Sequence, residues 1–231
     1  MIHQLIFAFP RPGMSEEAFH QYWTEEHAVR YASKIPQIKR YSVDTRIPRK
    51  GETTEPLWSG VAEIWLENDE EQLASLQTPE FLEGARLDEP RWAAFWRSLV
   101  LDTETETVVP GEPDDQGQPG VKLIVLVKRR EGMTVEEFRS YSRELHAPLV
   151  AGIPGLRRYD QSYTRDSWYS VSEPPFDAAY HLWFDDVEAV DAAEAGPDQA
   201  KVLADYANFT NPRYVHSLLF RQNWIIGPAT R

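Results

Sequence analysis

Two histidines, His27 and His146, occupy the same place in two copies of one stretch. Histidine is the side chain whose unperturbed pKa lets it take and give protons near neutrality. On a helix His27 follows Phe19 and Trp23 at steps of four, beside residues expected to be buried. His146 stands one step from Leu145, flanking an apolar stripe of Phe138, Tyr141, Leu145 and Leu149. Two roles are open to these residues. One is general acid/base catalysis at the mouth of a pocket between helix and sheet; the other is a helix-end imidazole donating to the last carbonyls. Glu63 and His181 share a second position, on strand faces with Trp65 and Trp183. A titratable group there needs a partner or a shifted pKa. Tyr41 and Tyr159 follow basic pairs and offer a hydroxyl to a substrate oxygen, or simply pack.

These residues fall inside a repeat. Residues 13–41 and 132–159 share Gly-Met, a hydroxyl residue, Phe, Tyr, Glu, His-Ala, Ile-Pro and a basic pair before Tyr. Around each copy the order strand, helix, strand, strand, helix, strand is legible. Residues 2–9 and 121–128 are apolar on both faces, as in a sheet covered on both sides. Ser15 and Thr134 suit helix N-caps, and Asp69 and Asp186 suit caps of a second helix. Residues 60–66 match 178–184, Pro90-Arg91-Trp92 matches Pro212-Arg213-Tyr214, and residues 98–101 match 217–220. Polar loops at 48–56 and 166–175 are long enough for lids. The predicted organisation is repeat one over 1–107, a linker rich in Pro, Gly and acids over 108–120, and repeat two over 121–231. Two β-α-β-β-α-β copies with bare sheet faces predict an α+β fold, packed sheet to sheet as an intramolecular dimeric barrel.

Composition excludes several classes. With 24 Lys and Arg against 37 Asp and Glu, the net charge of −13 does not suit a phosphate-tracking nucleic-acid binder. There is no cysteine, hence no disulfide, thiolate nucleophile or thiolate metal site. The N-terminal apolar run is far shorter than the roughly 20 residues of a membrane span and lacks a secretory pattern, so a cytoplasmic protein is expected. No glycine-rich phosphate loop, nucleophile-elbow serine or His-Glu-x-x-His spacing occurs, and dispersed histidines predict no metal.

The run of Gly132, Met133, Thr134, Glu136, Glu137, Phe138, Tyr141, then His146-Ala147-Pro148-Leu149 and Pro154 to Tyr159, resembles the EthD-type domains of the dimeric α+β barrel superfamily. Copy one is more diverged, with Val29-Arg30 for Pro-Leu, but keeps Tyr22-Trp23 where copy two has Ser142. The resemblance implies a ferredoxin-like α+β barrel. It also implies relatives that include cyclases, decarboxylases, dehydratases, cofactor-free monooxygenases and haem enzymes. The expectation is a lyase or isomerase without an organic cofactor, acting on a hydrophobic aromatic or polyketide-like carbonyl compound. His146 and His27 would move the proton, with copy two the active one. Tyr159, His181 and Trp183 would orient the substrate, and Tyr141, Tyr41, Glu63, Trp65, Trp23 and Tyr22 would line the pockets. The alternatives are a cofactor-free or haem-dependent monooxygenase and a small-ligand binding protein. The chain would be a pseudo-dimer with further homodimerisation open to it.

Overall fold

The computed structural model describes residues 1–111 and 120–227. Its strands are β1 (Ile2–Ala8), β2 (Arg40–Arg46), β3 (Gly60–Leu66), β4 (Leu99–Val109), β5 (Val121–Arg129), β6 (Arg158–Thr164), β7 (Ala178–Phe184) and β8 (Thr210–Ile226). They hydrogen-bond in the closed order β1-β3-β2-β8-β5-β7-β6-β4. The fold class is α+β, the barrel type that the repeat implies. The chain divides into two compact units. Unit 1 is Met1–Asp102 with the segment from Phe220 onward, and unit 2 is Thr103–Leu219.

Each unit therefore holds a central three-strand sheet and takes an outer strand segment from the other copy's sequence. In unit 1, β1 and β2 flank β3, and the end of β8 pairs with β2 from Arg46↔Phe220 to Tyr41↔Ile226. In unit 2, β5 and β6 flank β7, and the end of β4 pairs with β6 from Thr103↔Thr164 to Val109↔Tyr159. The last strands thus run well past the 98–101 and 217–220 expected from apolarity. Residues 103–107 alternate Thr and Glu, a β-branched residue at every second place, which is strand chemistry without apolar side chains. Thr105 Oγ1 bonds Ser162 Oγ at 2.8 Å, and Glu106 takes a two-pronged bond from Arg143. The linker expected from residue 108 begins inside this strand; its residues 112–119 lie outside the described ones.

Ser15 and Thr134 cap the first helices, Thr134 in a full capping box with Glu137. Asp186 caps as expected, whereas in unit 1 the cap is Asn68, one residue before Asp69. Both first helices then loosen. Tyr22–His27 and Ser142–His146 are π-helical, with the N–H of Ala28 on Trp23 O and that of Ala147 on Ser142 O, five residues back. A π turn inserts one residue into the helical winding and turns the later side chains to a new face. The buried track becomes Phe19, Trp23, His27 in unit 1 and Phe138, Ser142, His146 in unit 2. Leu145, expected in the core, is 54% exposed, and Leu149 is only half-buried. Pro148 does not end the second of these helices, which resumes over Ala147–Ala151 with the proline in its first turn.

Candidate functional site

The helices cover one sheet face in each unit, and both histidines point onto that face. His27 is 6% exposed and His146 0%. Neither caps a helix end and neither opens at a pocket mouth. Instead His27 Nδ1 lies 2.9 Å from Asp88 Oδ2, and His146 Nδ1 lies 2.9 Å from Asp205 Oδ2. Tyr22 and Tyr141 donate their hydroxyls to the other oxygen of each aspartate, both at 2.8 Å. These tyrosines, expected as pocket lining, hold the aspartates in place. A Tyr-Asp-His triad has thus been built twice, with the aspartate coming from the second helical stretch.

In each triad the aspartate accepts a hydrogen bond from Nδ1–H, which leaves Nε2 with the lone pair. Trp92 Nε1 also lies 3.1 Å from His27 Nδ1, but one ring nitrogen cannot donate to Asp88 and accept from Trp92 together. The bond to the carboxylate is the charge-assisted one and prevails. Trp92 then rests against the imidazole as an aromatic neighbour, centroids 4.7 Å apart. This contact also corrects the alignment of the copies. Arg11 N bonds Trp92 O as Arg130 N bonds Phe209 O, so Trp92 corresponds to Phe209 and not to Tyr214.

Around the triads the units differ. In unit 2 Ser142 Oγ lies 2.6 Å from Tyr180 OH, and Gln161 Nε2 donates to Tyr159 OH at 2.7 Å and to Ser142 Oγ at 3.2 Å. Tyr163 donates to Gln161 Oε1 at 2.6 Å. All five residues are buried. Tyr180, Tyr206 and Phe209 ring His146 at centroid distances of 5.6, 4.7 and 4.8 Å. In unit 1 the repeat places Trp23 at Ser142, Ala62 at Tyr180, Val43 at Gln161 and Gly60 at Ala178. Trp23 fills that space: its indole meets Phe19 and Trp92 at 5.2 and 4.9 Å, and Gly60 is the residue that lets it in.

The structure separates residues that the sequence grouped. Tyr159 and Tyr41 are fully buried on the helix side, with Tyr159 edge-on to Tyr180 at 6.2 Å. His181 and Trp183 stack together at 5.9 Å on the opposite face of β7, away from His146. Glu63 and Trp65 occupy the matching face of β3. There Glu63 bonds His3 Nε2 at 2.9 Å, His3 stacks on Trp65 at 4.3 Å, and Arg40 lies 4.6 Å above Trp65. Side chains alternate along a strand, so no backbone adjustment brings these groups to the histidines. Among the described residues no group of three His, Asp or Glu converges on a metal site, and no helix is long and apolar enough to cross a membrane.

Burial lowers the pKa of His146 below its ordinary value, against the hydrogen bond and charge of Asp205 that raise it; His27 behaves alike with Asp88. Burial also raises Asp205, but bonds from Asn208, His146 and Tyr141 outweigh it and hold the carboxyl below its usual range. Each imidazole is therefore neutral at pH 7, and Asp205 beside His146 is ionised. The stability consequence has a definite sign. Below the unfolded value of 6.5 the unfolded chain takes protons that the folded histidines refuse, so stability falls on acidification from there down. We expect the urea midpoint to drop between about pH 7 and pH 5, and His146→Gln to reduce the drop. Equal midpoints at both pH values would contradict the buried, neutral assignment.

A helix-covered sheet carrying a Tyr-Asp-His arrangement, made twice in one chain, marks a tandem α+β protein. The EthD domain matches residues 11–95 and again 130–213, and the chain belongs to that family. No curated protein matches it. Among solved structures, an anthrone oxidase-like protein superposes with a TM-score of 0.66 at 12% identity, covering 96% of this chain and 90% of its own. A structure described as a monooxygenase from Fusobacterium nucleatum superposes at 0.64 with 6% identity, over 100% and 95%. An EthD family protein from Bacillus halodurans is 25% identical over 43% of this chain and 95% of its own, with a TM-score of 0.37. The first two likenesses speak for the fold.

Proposed function

We propose that unit 2 is an enzyme site for proton transfer at carbon, with His146 as general base and no organic cofactor. One observation carries the reading: His146 Nε2 is fully buried and has no hydrogen-bond partner. An orphaned buried polar atom costs about 1–3 kcal/mol, and such atoms ask for a purpose. Here the atom is the lone pair of a neutral imidazole that Asp205 orients. Tyr159 complements it. Its hydroxyl accepts from Gln161 and retains a proton to donate, and burial keeps that proton on by raising its pKa. The pair suits a carbonyl compound: the base removes the α-proton while the phenol bonds the oxygen that becomes an enolate. The aromatic walls of Tyr180, Tyr206 and Phe209 favour an aromatic or other hydrophobic substrate. Cyclisation and dehydration follow from such an enolate, and decarboxylation passes through one that takes its proton from the base once protonated, which makes lyase or isomerase chemistry our first reading.

Nε2 has no exposed surface in this conformation. Substrate therefore reaches it only when Tyr206 and Phe209 move, and the atom as placed is not offered to a haem iron either. An enolate also reacts directly with oxygen, so the monooxygenase reading shares the first step. The test is α-proton exchange in deuterated buffer across a panel of enolisable aryl ketones, followed by NMR with an oxygen electrode in parallel. Catalysed exchange without oxygen uptake is the expected result. Exchange with stoichiometric uptake would move the assignment to the oxygenase, and no exchange with any ketone would remove the base.

A further inference from the structure

Unit 1 contains a cleft of about 370 Å³ that has no part in the histidine sites. It lies where the chain, after the helical stretch that ends at Arg91, takes a detour before joining the sheet at Leu99. Pro10 pairs with Ala93, Ala94 N bonds Phe9 O at 2.9 Å, and a 3-10 turn at Phe95–Arg97 precedes β4. In unit 2 the equivalent Phe209 runs straight into β8. The matching ground there is closed by Lys128 and Arg129, both paired with Glu173 and Asp177, and by Tyr169 bonding Asp177 at 2.6 Å.

Around the unit 1 cleft Arg11, Arg46 and Arg97 equal Glu16, Glu52 and Glu55 in number, but they are not paired one to one: Arg46 serves both Glu16 and Glu52. Burial raises Glu16, but two short bonds from Arg46 at 2.7 and 2.6 Å, with help from Ser59, hold it ionised and already paired. Arg97 lies 3.5 Å over the Phe9 ring and bonds Glu55 at 3.0 Å. Arg11 is left over: its guanidinium has no hydrogen-bond or ion-pair partner among the described residues. The same cleft is lined by Trp96, 75% exposed and with no ring partner among the described residues. Pro10, Pro12, Met14 and Pro56 supply apolar wall. A volume in the range of small-molecule sites, one unspent cation and one unspent indole face together describe a particular kind of ligand.

We propose that this cleft binds a small planar aromatic carboxylate, its ring on Trp96 and its carboxylate on Arg11. Arg11 forms the two-pronged bond that a guanidinium makes with a carboxylate. The probe is 2-naphthoate, titrated into the intact chain by calorimetry, with neutral 2-naphthol as comparison. Saturable naphthoate binding is expected, weakened about tenfold or more by Arg11→Ala and by Trp96→Ala. 2-Naphthol should bind less tightly and respond to Trp96→Ala but not to Arg11→Ala. His146→Ala should bind naphthoate as the wild type does, which separates this cleft from the proposed enzyme site. Both tested side chains are exposed, so the fold is not at stake. The proposal is overturned if naphthoate does not saturate, if neither substitution weakens it, or if His146→Ala abolishes it.

Discussion

Trp23→Ala should destabilise unit 1 by about 3–5 kcal/mol, the usual cost of emptying a large aromatic from a core. The indole is 2% exposed and touches Phe19 and Trp92, which in turn touches His27. Its neighbours cannot collapse into the gap, because Ala62 and Gly60 stand where unit 2 has Tyr180 and Ala178. The same packing fixes Gly60. A Cβ there would lie 2.8 Å from the Trp23 ring and 3.0 Å from the Asp44 carbonyl oxygen, so Gly60→Ala should cost about 1–3 kcal/mol by overpacking. With Trp23 replaced, Gly60→Ala should cost less, since the two residues compete for one space. Urea denaturation of the four chains checks the cycle. Additive losses would show that Trp23 and Gly60 are not coupled.

That exchange of bulk explains how the two copies were readable as one motif and yet differ. The substitution of Ser142 for Trp23 is visible in the sequence, as are the repeat, the capping hydroxyls and the third-strand register. What fills the space left by Ser142 is not visible there. It comes from strands: Tyr180, Gln161 and Tyr163, which read locally as ordinary strand residues and converge only through the sheet. The π turns were hidden for a different reason. Apolar periodicity placed Leu145 inside, but the chain buries polar Ser142 and His146 because strand side chains bond Ser142 and Asp205 bonds His146.

His146→Ala should lower catalysed proton transfer about 10²- to 10⁴-fold, the range that a positioned general base supplies. The fold should survive better than the activity, because the side chain lost has one bonded atom and one idle one. Asp205→Asn should also cut turnover. An amide can offer its N–H to Nδ1, which moves the ring proton to Nε2 and occupies the lone pair that the reaction needs. His27→Ala should leave turnover within a few-fold of wild type, since Trp23 fills the space beside it.

The histidines of this site were legible because both copies carry them in register. The aspartates were not. Asp88 lies 61 residues after His27, whereas Asp205 lies 59 after His146, so a fixed offset between the copies slides past them. A search for Asp near the end of each second helix, tolerant of that two-residue slip, would have paired them. His181 and Trp183 misled for the opposite reason. They share a register with Glu63 and Trp65, but strand alternation sends all four to the face away from the helices.

The most direct test of the account is α-proton exchange measured side by side for wild type, His146→Ala and His27→Ala, on the best aryl ketone of the panel and across pH. Wild type and His27→Ala should share one profile, flat at neutral pH and falling only below 6.5, as a base with a lowered pKa requires. His146→Ala should fall to background. Equal exchange in His146→Ala and wild type, or loss in His27→Ala alone, would contradict the assignment of the working site to unit 2.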